Sequence, residues 1–522
     1  MAEEQIFNQK SKTINSSKAV ALGVTYQVSK IIFAFVYRTL FIMVLSADYL
    51  GIEGLFVNVL SILSIAELGI GSIIAYRLYK PIKDNDVEKV ARLMNFYRIV
   101  YLGIAGVVLL VGLIILPLIP YLINSTSTIP GDINIYVIYS IYLARSVTSY
   151  FFVYKQSLLS ADQKNYVISI FDIIVTFSRY AVEIALLFLT RNYTLILLVG
   201  MLVQLAANYI ISLVITKKYK SVFKCRLNIS KEEKKSIFKD AGSMLCHKIS
   251  GAVINSTDSI LLSIFIGITT LGLYSNYSMI ITAVSAIVVQ LFSSFISSIG
   301  KLHIENNTDK TFDVYSKLQF ANHWVAGFCA IAYFCLFTPF ITVWLGSSYL
   351  LNWEVVLCLC VSQYININRF INGAFVNATG LFVKDKIRAA AEAVINLVAS
   401  ILLVRKLGIA GIFVGTIISS VTTVFWREPM LVHKYVLKRH TGIYWLDYLY
   451  FTVLTVATCI MCYVILSFIP NTIGYVILKF CLITILVNVV FCIFNCRSVH
   501  LKFWIEKFKL ALSVLRRKMK RS

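Results

Sequence analysis

Residues 217–239 read KKYKSVFKCRLNISKEEKKSIFK, and nine of them are lysine or arginine. The run follows a long apolar series ending at Ile215 and precedes another beginning near Ala241. Charged segments stay outside hydrocarbon while stretches of ~20 apolar residues cross it, so this run reads as the connector between two membrane-embedded halves. Composition agrees. The 522 residues are 58% hydrophobic and 14% charged, with mean hydropathy +0.79, whereas a soluble domain carries ~25% charged residues to keep its surface wetted.

The formal net charge of +24 does not point to nucleic acid. Lysine and arginine are concentrated in short segments between apolar runs, the pattern of cytoplasmic membrane flanks rather than of a binding footprint. Ten of the eleven cysteines sit in or at the ends of apolar segments, where cysteine behaves as a small hydrophobe, and Cys459 and Cys462 read as packing despite their CxxC spacing. The six histidines form no HExxH motif, and no metal or other cofactor is expected. The opening MAEEQIFNQKSKTINSSK is too polar for a cleaved signal peptide, so insertion is expected to begin with the first retained helix.

Apolar stretches long enough to span occur at roughly 20–45, 51–76, 94–119, 133–157, 166–190 and 193–216, and after the connector at 241–267, 273–299, 320–345, 354–380, 387–404, 407–430, 448–469 and 473–496. The expectation is an all-α polytopic membrane protein of about fourteen transmembrane helices. Residues 1–216 form an N-terminal six-helix bundle, 217–239 a basic cytoplasmic linker and 240–440 a C-terminal six-helix bundle. An accessory helix pair at 441–496 and a basic cytoplasmic tail at 497–522 follow. Alternating loops place the basic clusters on one side, which predicts that both termini are cytoplasmic. Two internal echoes support paired bundles: LGIEG at 50–54 resembles LGLYS at 271–275, and Arg145 in ARSVTSYFFVY corresponds to Arg369 in NRFINGAFVN. Trp504, Phe508 and Leu512 recur at four-residue spacing among basic residues, which reads either as an amphipathic helix on anionic membrane lipids or as a solubilising tail.

Ionisable groups at hydrocarbon depth cost ~2.5–3.5 kcal/mol at a helix centre even on the milder insertion scale, so each needs a partner or water. Arg38 either binds an anion or pairs with Glu53 or Glu67. Glu67 is a carboxylate among small and apolar residues and either neutralises an arginine or couples transport to a cation. Asp172, Thr176, Arg179 and Glu183 fall at spacing four, three and four, on one helix face, as an internal ion pair or a wet cavity wall. Arg145 and Arg369 sit near the middles of their spans and read as anion contacts or structural pairs, Asp258 as an ion, route or salt-bridge residue, and Glu392 with Asn396 as a second polar face. Gly408, Gly411 and Gly415 permit close helix packing.

Several segments together resemble the polysaccharide flippase branch of the multidrug, oligosaccharidyl-lipid and polysaccharide exporter superfamily, of the type serving Gram-positive capsule or exopolysaccharide synthesis. They are RTLFIMVLSADYLGIEGLF, ELGIGSIIAYRLYKPIKDND, LSADQKNY, DSILLSIFIGITTLGLYSNY, and NGAFVNATGLFVKDKIR with LGIAGIFVGTIIS. The resemblance covers nearly the whole chain. It implies a bacterial cell-membrane transporter, not an enzyme, that moves polyprenyl-diphosphate-linked oligosaccharide repeat units from the cytoplasmic to the outer leaflet. Arg38, Arg145, Arg179 and Arg369 are then contacts for the diphosphate or an anionic sugar, and a polysaccharide polymerase or assembly protein is the implied partner. No P-loop is present, and the energy source is open between a proton or sodium ion acting through Glu67, Glu183 or Asp258 and a cavity arginine responding to membrane potential. The first helix lacks the multi-arginine pattern of lipid II flippases. Ion-coupled export of a small molecule or drug is the alternative, and a membrane-bound sugar-transfer enzyme is disfavoured by the short outer loops.

Overall fold

The computed structural model describes residues 12–64, 70–125, 129–224, 228–304 and 307–519. Eighteen α-helices of nine or more residues occur among them. In chain order they begin with α1 (Lys12–Val44), α2 (Ala47–Leu63), α3 (Ile70–Lys83), α4 (Val87–Ile115), α5 (Ile135–Ala161) and α6 (Asn165–Thr190). Then come α7 (Tyr193–Lys218), α8 (Lys231–Phe265), α9 (Ile268–Ile304), α10 (Thr308–Leu345), α11 (Trp353–Asn368) and α12 (Phe370–Ala378). The last six are α13 (Phe382–Leu407), α14 (Ile409–Thr422), α15 (Val424–Val432), α16 (Gly442–Ser467), α17 (Ile473–Phe494) and α18 (Val499–Met519). Helices dominate because hydrocarbon offers no partner to a backbone N–H or C=O, so each segment must satisfy its own.

Among the described residues, ten helices are long and apolar enough to cross a membrane. The chain is an all-α, multi-pass membrane protein. Each of the ten coincides with a stretch read from the sequence. The other four stretches, 51–76, 133–157, 241–267 and 354–380, also hold helices among their described residues: α2, residues 251–265 and α11 are apolar but shorter than eighteen residues, and α5 is long but less apolar. Helix α5 carries Arg145 and Lys155, α8 buries Ser256, Thr257, Asp258, Ser259 and Ser263, and α11 and α12 meet among Asn366, Asn368, Arg369 and Asn372.

Local chemistry sets the helix starts. Asp86, Asn134, Asn192, Ser230 and Asn307 each accept a hydrogen bond from a first-turn backbone N–H, satisfying donors the helix itself cannot. Ser230 begins α8 inside the basic connector, so part of that connector is helical. At its other end the Tyr219 hydroxyl donates to Asp162 (2.6 Å), tying the end of α7 to the α5–α6 turn, and burial together with this bond holds the phenol well above its ordinary pKa.

Helix contacts divide the chain into two compact units, residues 1–276 and 277–522. In the first, α1 runs along α6, and α5 packs against both α4 and α7. Phe56, Tyr97, Tyr101 and Tyr139 fill this unit's core, and Tyr139 donates to the Gly112 carbonyl (2.9 Å). In the second, α10 is the hub: α11, α16, α17 and α18 all contact it. Phe320, Ile331, Phe451, Leu454, Ile483, Val487 and Phe491 form a core there, so the C-terminal pair packs firmly onto α10. Outward faces are apolar: Leu110, Ile114, Leu189, Val453, Ile460 and Phe468 are all exposed, as expected where lipid is the solvent.

The echoed glycines Gly51 and Gly272 meet within the first unit. A Cβ on Gly51 would fall on the Ile268 carbonyl oxygen, and one on Gly272 would fall on that of Ala47. Ala47 precedes Gly51 by one helical turn, as Ile268 precedes Gly272, so α2 and α9 touch in two-fold register. Gly51→Val is therefore expected to cost about 1–3 kcal/mol by overpacking. Gly54→Ala, whose Cβ would meet the Leu271 side chain at 3.6 Å, should be tolerated. Thermal unfolding of the two variants in detergent distinguishes them.

Candidate functional site

The first unit gathers charge along α1, α5 and α6. Arg179 lies 3.6 Å from Glu183, one turn away, and its guanidinium sits 4.8 Å from the Tyr180 ring centroid. Glu183 is buried (6% exposed) and packs on Gly200 of α7, where any larger residue would collide with its carboxyl group. The charges of Arg145 and Glu53 also act on Glu183. Asp172 is half-buried within electrostatic range of Lys30, and Thr176 hydrogen bonds Tyr26, so the stripe read from the sequence zips α6 to α1. Arg38, half-buried on α1, donates to the Ser275 hydroxyl at 3.1 Å. Among the described residues neither Arg38 nor Arg145 is bridged to a carboxylate. Glu67 lies outside the described residues. Asp258 is buried on α8 among hydroxyl side chains.

The second unit holds a different arrangement. Arg369, at the junction of α11 and α12, grips Glu428 with two nitrogens (2.8 and 3.4 Å) and lies 3.7 Å from Glu392. Arg388 bridges Asp385 and Glu392 and reaches to 3.8 Å of Glu428. Two guanidiniums thus face three carboxylates, all three nearly inaccessible, and one Asp385 oxygen has no hydrogen-bond partner. The cluster is not sealed. Arg369 is 30% exposed at its side chain and, with Asn366, Phe370, Gly373 and Asn377, lines an open cavity of about 300 Å³. One turn beyond Glu392, Asn396 donates to the Thr416 hydroxyl (2.9 Å), joining α13 to α14, while its carbonyl oxygen has no partner.

Side chains of α10 hold the α11–α12 junction. Asn322 donates to the carbonyls of Ile367 and Asn368, both at 2.9 Å, and Gln319 donates to Asn368 at 3.3 Å. His323 donates from Nδ1 to the Asn368 side-chain oxygen (2.6 Å) and stacks on Phe451. A helix interrupted at membrane depth exposes backbone carbonyls that must be met by side chains or water, and such interruptions mark substrate and ion sites in transporters.

Of the residues singled out from the sequence, the structure joins Arg179 with Glu183 and Arg369 with Glu392. Sequence reasoning missed Asp385, Arg388 and Glu428. The first two carried a signal: Asp385, Arg388, Glu392 and Asn396 repeat at spacing three, four and four, the periodicity already noticed in α6. Glu428 carried none, since its pairing with Arg369 is purely tertiary.

Comparison with solved structures defines the class. The chain superposes on a lipid II flippase in an inward closed conformation with TM-score 0.65 and 12% identity, over 92% of this chain and 99% of that one. A multidrug resistance MATE family transporter of the MOP superfamily in its inward-facing conformation gives 0.58 and 15%, over 80% and 98%. A MATE transporter of Vibrio cholerae gives 0.55 and 12%, over 82% and 98%. These likenesses show a fold shared with a lipid II flippase and with MATE family transporters. Residues 17–298 match the model of the family described as polysaccharide biosynthesis protein, and the chain belongs to that family. A comparison with curated proteins finds no match.

The charge inventory of the second unit yields a signed expectation. Arg388→Gln leaves one guanidinium among three buried carboxylates and should cost about 3–5 kcal/mol. Glu428→Gln balances two against two and should cost much less. Melting temperatures of the purified variants read the difference, and equal losses would contradict the excess-carboxylate account.

Proposed function

We propose that this chain moves an anionic lipid-linked glycan, a polyprenyl-diphosphate-linked oligosaccharide repeat unit, across the membrane by alternating access, from the cytoplasmic to the outer leaflet. The observation that carries this reading is the charge of the first unit: Arg38 on α1 and Arg145 on α5 are half-buried with no carboxylate bridged to either among the described residues. A guanidinium so placed favours an anionic ligand, and its planar fork suits diphosphate oxygens. Membership of the polysaccharide biosynthesis family supports the same substrate class. Arg179 belongs to the same face but is partly neutralised by Glu183, and Arg369 is engaged by carboxylates, so Arg38 and Arg145 take the larger share of the contact.

The energy source follows from the second unit. Three carboxylates against two guanidiniums leave one negative charge that a proton or sodium ion would neutralise, and Arg369 links that balance to the open cavity at α12. We assign coupling to this cluster rather than to Glu67 alone. The bilayer orientation with both termini cytoplasmic, fourteen spans in two six-helix bundles and a terminal pair, and the basic face of α18 lying on anionic lipids complete the proposal.

A second reading, ion-coupled export of a small molecule, draws support from the multidrug transporters among the solved structures of the same fold, and the carboxylate excess suits exchange of a cation for protons. The two readings separate in liposomes. Purified protein should transfer a fluorescent polyprenyl-diphosphate oligosaccharide between leaflets, and Arg38→Gln with Arg145→Gln should reduce the rate about tenfold or more, since each charge-assisted contact is worth ~1.5–3 kcal/mol. Gradient-driven efflux of a cationic dye without any lipid transfer would instead establish the exporter reading.

A further inference from the structure

At one end of the second unit, the starts of α10, α16 and α18 and the end of α15 enclose a cavity of about 140 Å³ that neither the charge cluster nor the proposed transport route uses. Its polar lining is unusual in what is already committed. The Tyr315 hydroxyl donates to Asn372 (2.8 Å), the Tyr450 hydroxyl to the Phe494 carbonyl (3.0 Å) and the Asn495 amide to the Phe491 carbonyl (2.9 Å). His433 must donate from Nδ1, because its neighbour there at 2.8 Å is the Pro429 carbonyl, which leaves Nε2 as an acceptor. Gln319 spends its amide N–H groups on Asn368 and His323, and its oxygen, on a residue 96% buried, has no partner. His500 also has an unpartnered nitrogen, Nδ1, and burial lowers its pKa. Asp447 adds a carboxylate at the rim.

Most of the lining's N–H and O–H donors are spent, and the hydroxyls of Ser316, Tyr444 and Ser498, which also line it, can turn to accept as readily as to donate. A group that presents several N–H donors, no acceptor and a positive charge is the chemical complement of such a lining, and the aromatic rings beside it suit a cation. The nearby cations of the chain are already engaged: Lys317 by Asp313, and Arg439 by Asp309 (2.8 Å) and by the face of Phe312. We propose that this cavity binds a primary ammonium group, either the aminoethyl head of a phospholipid or a free alkylamine. Gln319 Oε1, His433 Nε2 and the Asp447 carboxylate are its acceptors, and Tyr444 and Phe451 its aromatic walls.

The test uses the full-length protein in detergent, with ethylammonium chloride as probe and tetramethylammonium chloride, a cation of similar size without N–H donors, at matched ionic strength. Ethylammonium is expected to raise the melting temperature with an apparent affinity about tenfold or more tighter than tetramethylammonium, because charge-assisted hydrogen bonds decide the difference. Asp447→Asn, an exposed isosteric change that leaves the fold intact, should weaken ethylammonium about tenfold, and Gln319→Met should also weaken it. Native mass spectrometry supplies the source. Retained phosphatidylethanolamine, displaced by ethylammonium while phosphatidylcholine is not retained, identifies a lipid head, and ethylammonium binding without retained lipid identifies a soluble amine. Equal protection by the two cations, or unchanged ethylammonium affinity in Asp447→Asn, overturns the proposal.

Discussion

A guanidinium in the hydrocarbon layer must meet negative charge or water, and most of what is distinctive in this chain follows from how its arginines satisfy that requirement. In the second unit Arg369 and Arg388 are met by Glu392, Glu428 and Asp385, carried on α13 and α15. The network dictates its own surroundings. Arg369 sits at the turn where α11 gives way to α12, and Asn322 and Gln319 of α10 donate to the Ile367 and Asn368 carbonyls just before it. Removing one member of such a network leaves the others unpaired in low dielectric, so packing, helix geometry and charge balance stand together.

The two units meet the same requirement differently. Both place an arginine one turn before a buried glutamate, Arg179 before Glu183 and Arg388 before Glu392. The first unit then adds arginines, while the second adds carboxylates. The likeness to a lipid II flippase and to MATE family transporters is one of fold.

Most of the fold was legible because hydrocarbon imposes one rule on every span, a run of apolar residues long enough to cross. The apolar runs and the α6 stripe survive in three dimensions, whereas the basic run 217–239 lies within the first compact unit, whose boundary falls at 276/277. The stretch 354–380 was legible as helical, but not that it divides into α11 and α12 at Arg369. Asp385 and Arg388 lie in a basic run beside Lys384 and Lys386, although their spacing with Glu392 and Asn396 carries the pattern. Glu428 sits beside Arg427, the neighbour in sequence that hid the true partner fifty-nine positions away, Arg369. Nor could the sequence reveal that the C-terminal helix docks by Trp504, whose indole donates to the Lys317 carbonyl (2.9 Å), bringing His500 to the small cavity.

The central claim is that Arg38 and Arg145 form an anion site for a diphosphate head group, and equilibrium binding tests it most directly. A short-chain polyprenyl diphosphate, titrated into the purified protein alongside the uncharged polyprenol, should bind about tenfold or more tighter than the alcohol, with an affinity that falls as salt is raised. That preference should vanish when both arginines are replaced by glutamine. Equal affinity for diphosphate and alcohol, or a preference untouched by the double replacement, would contradict the account.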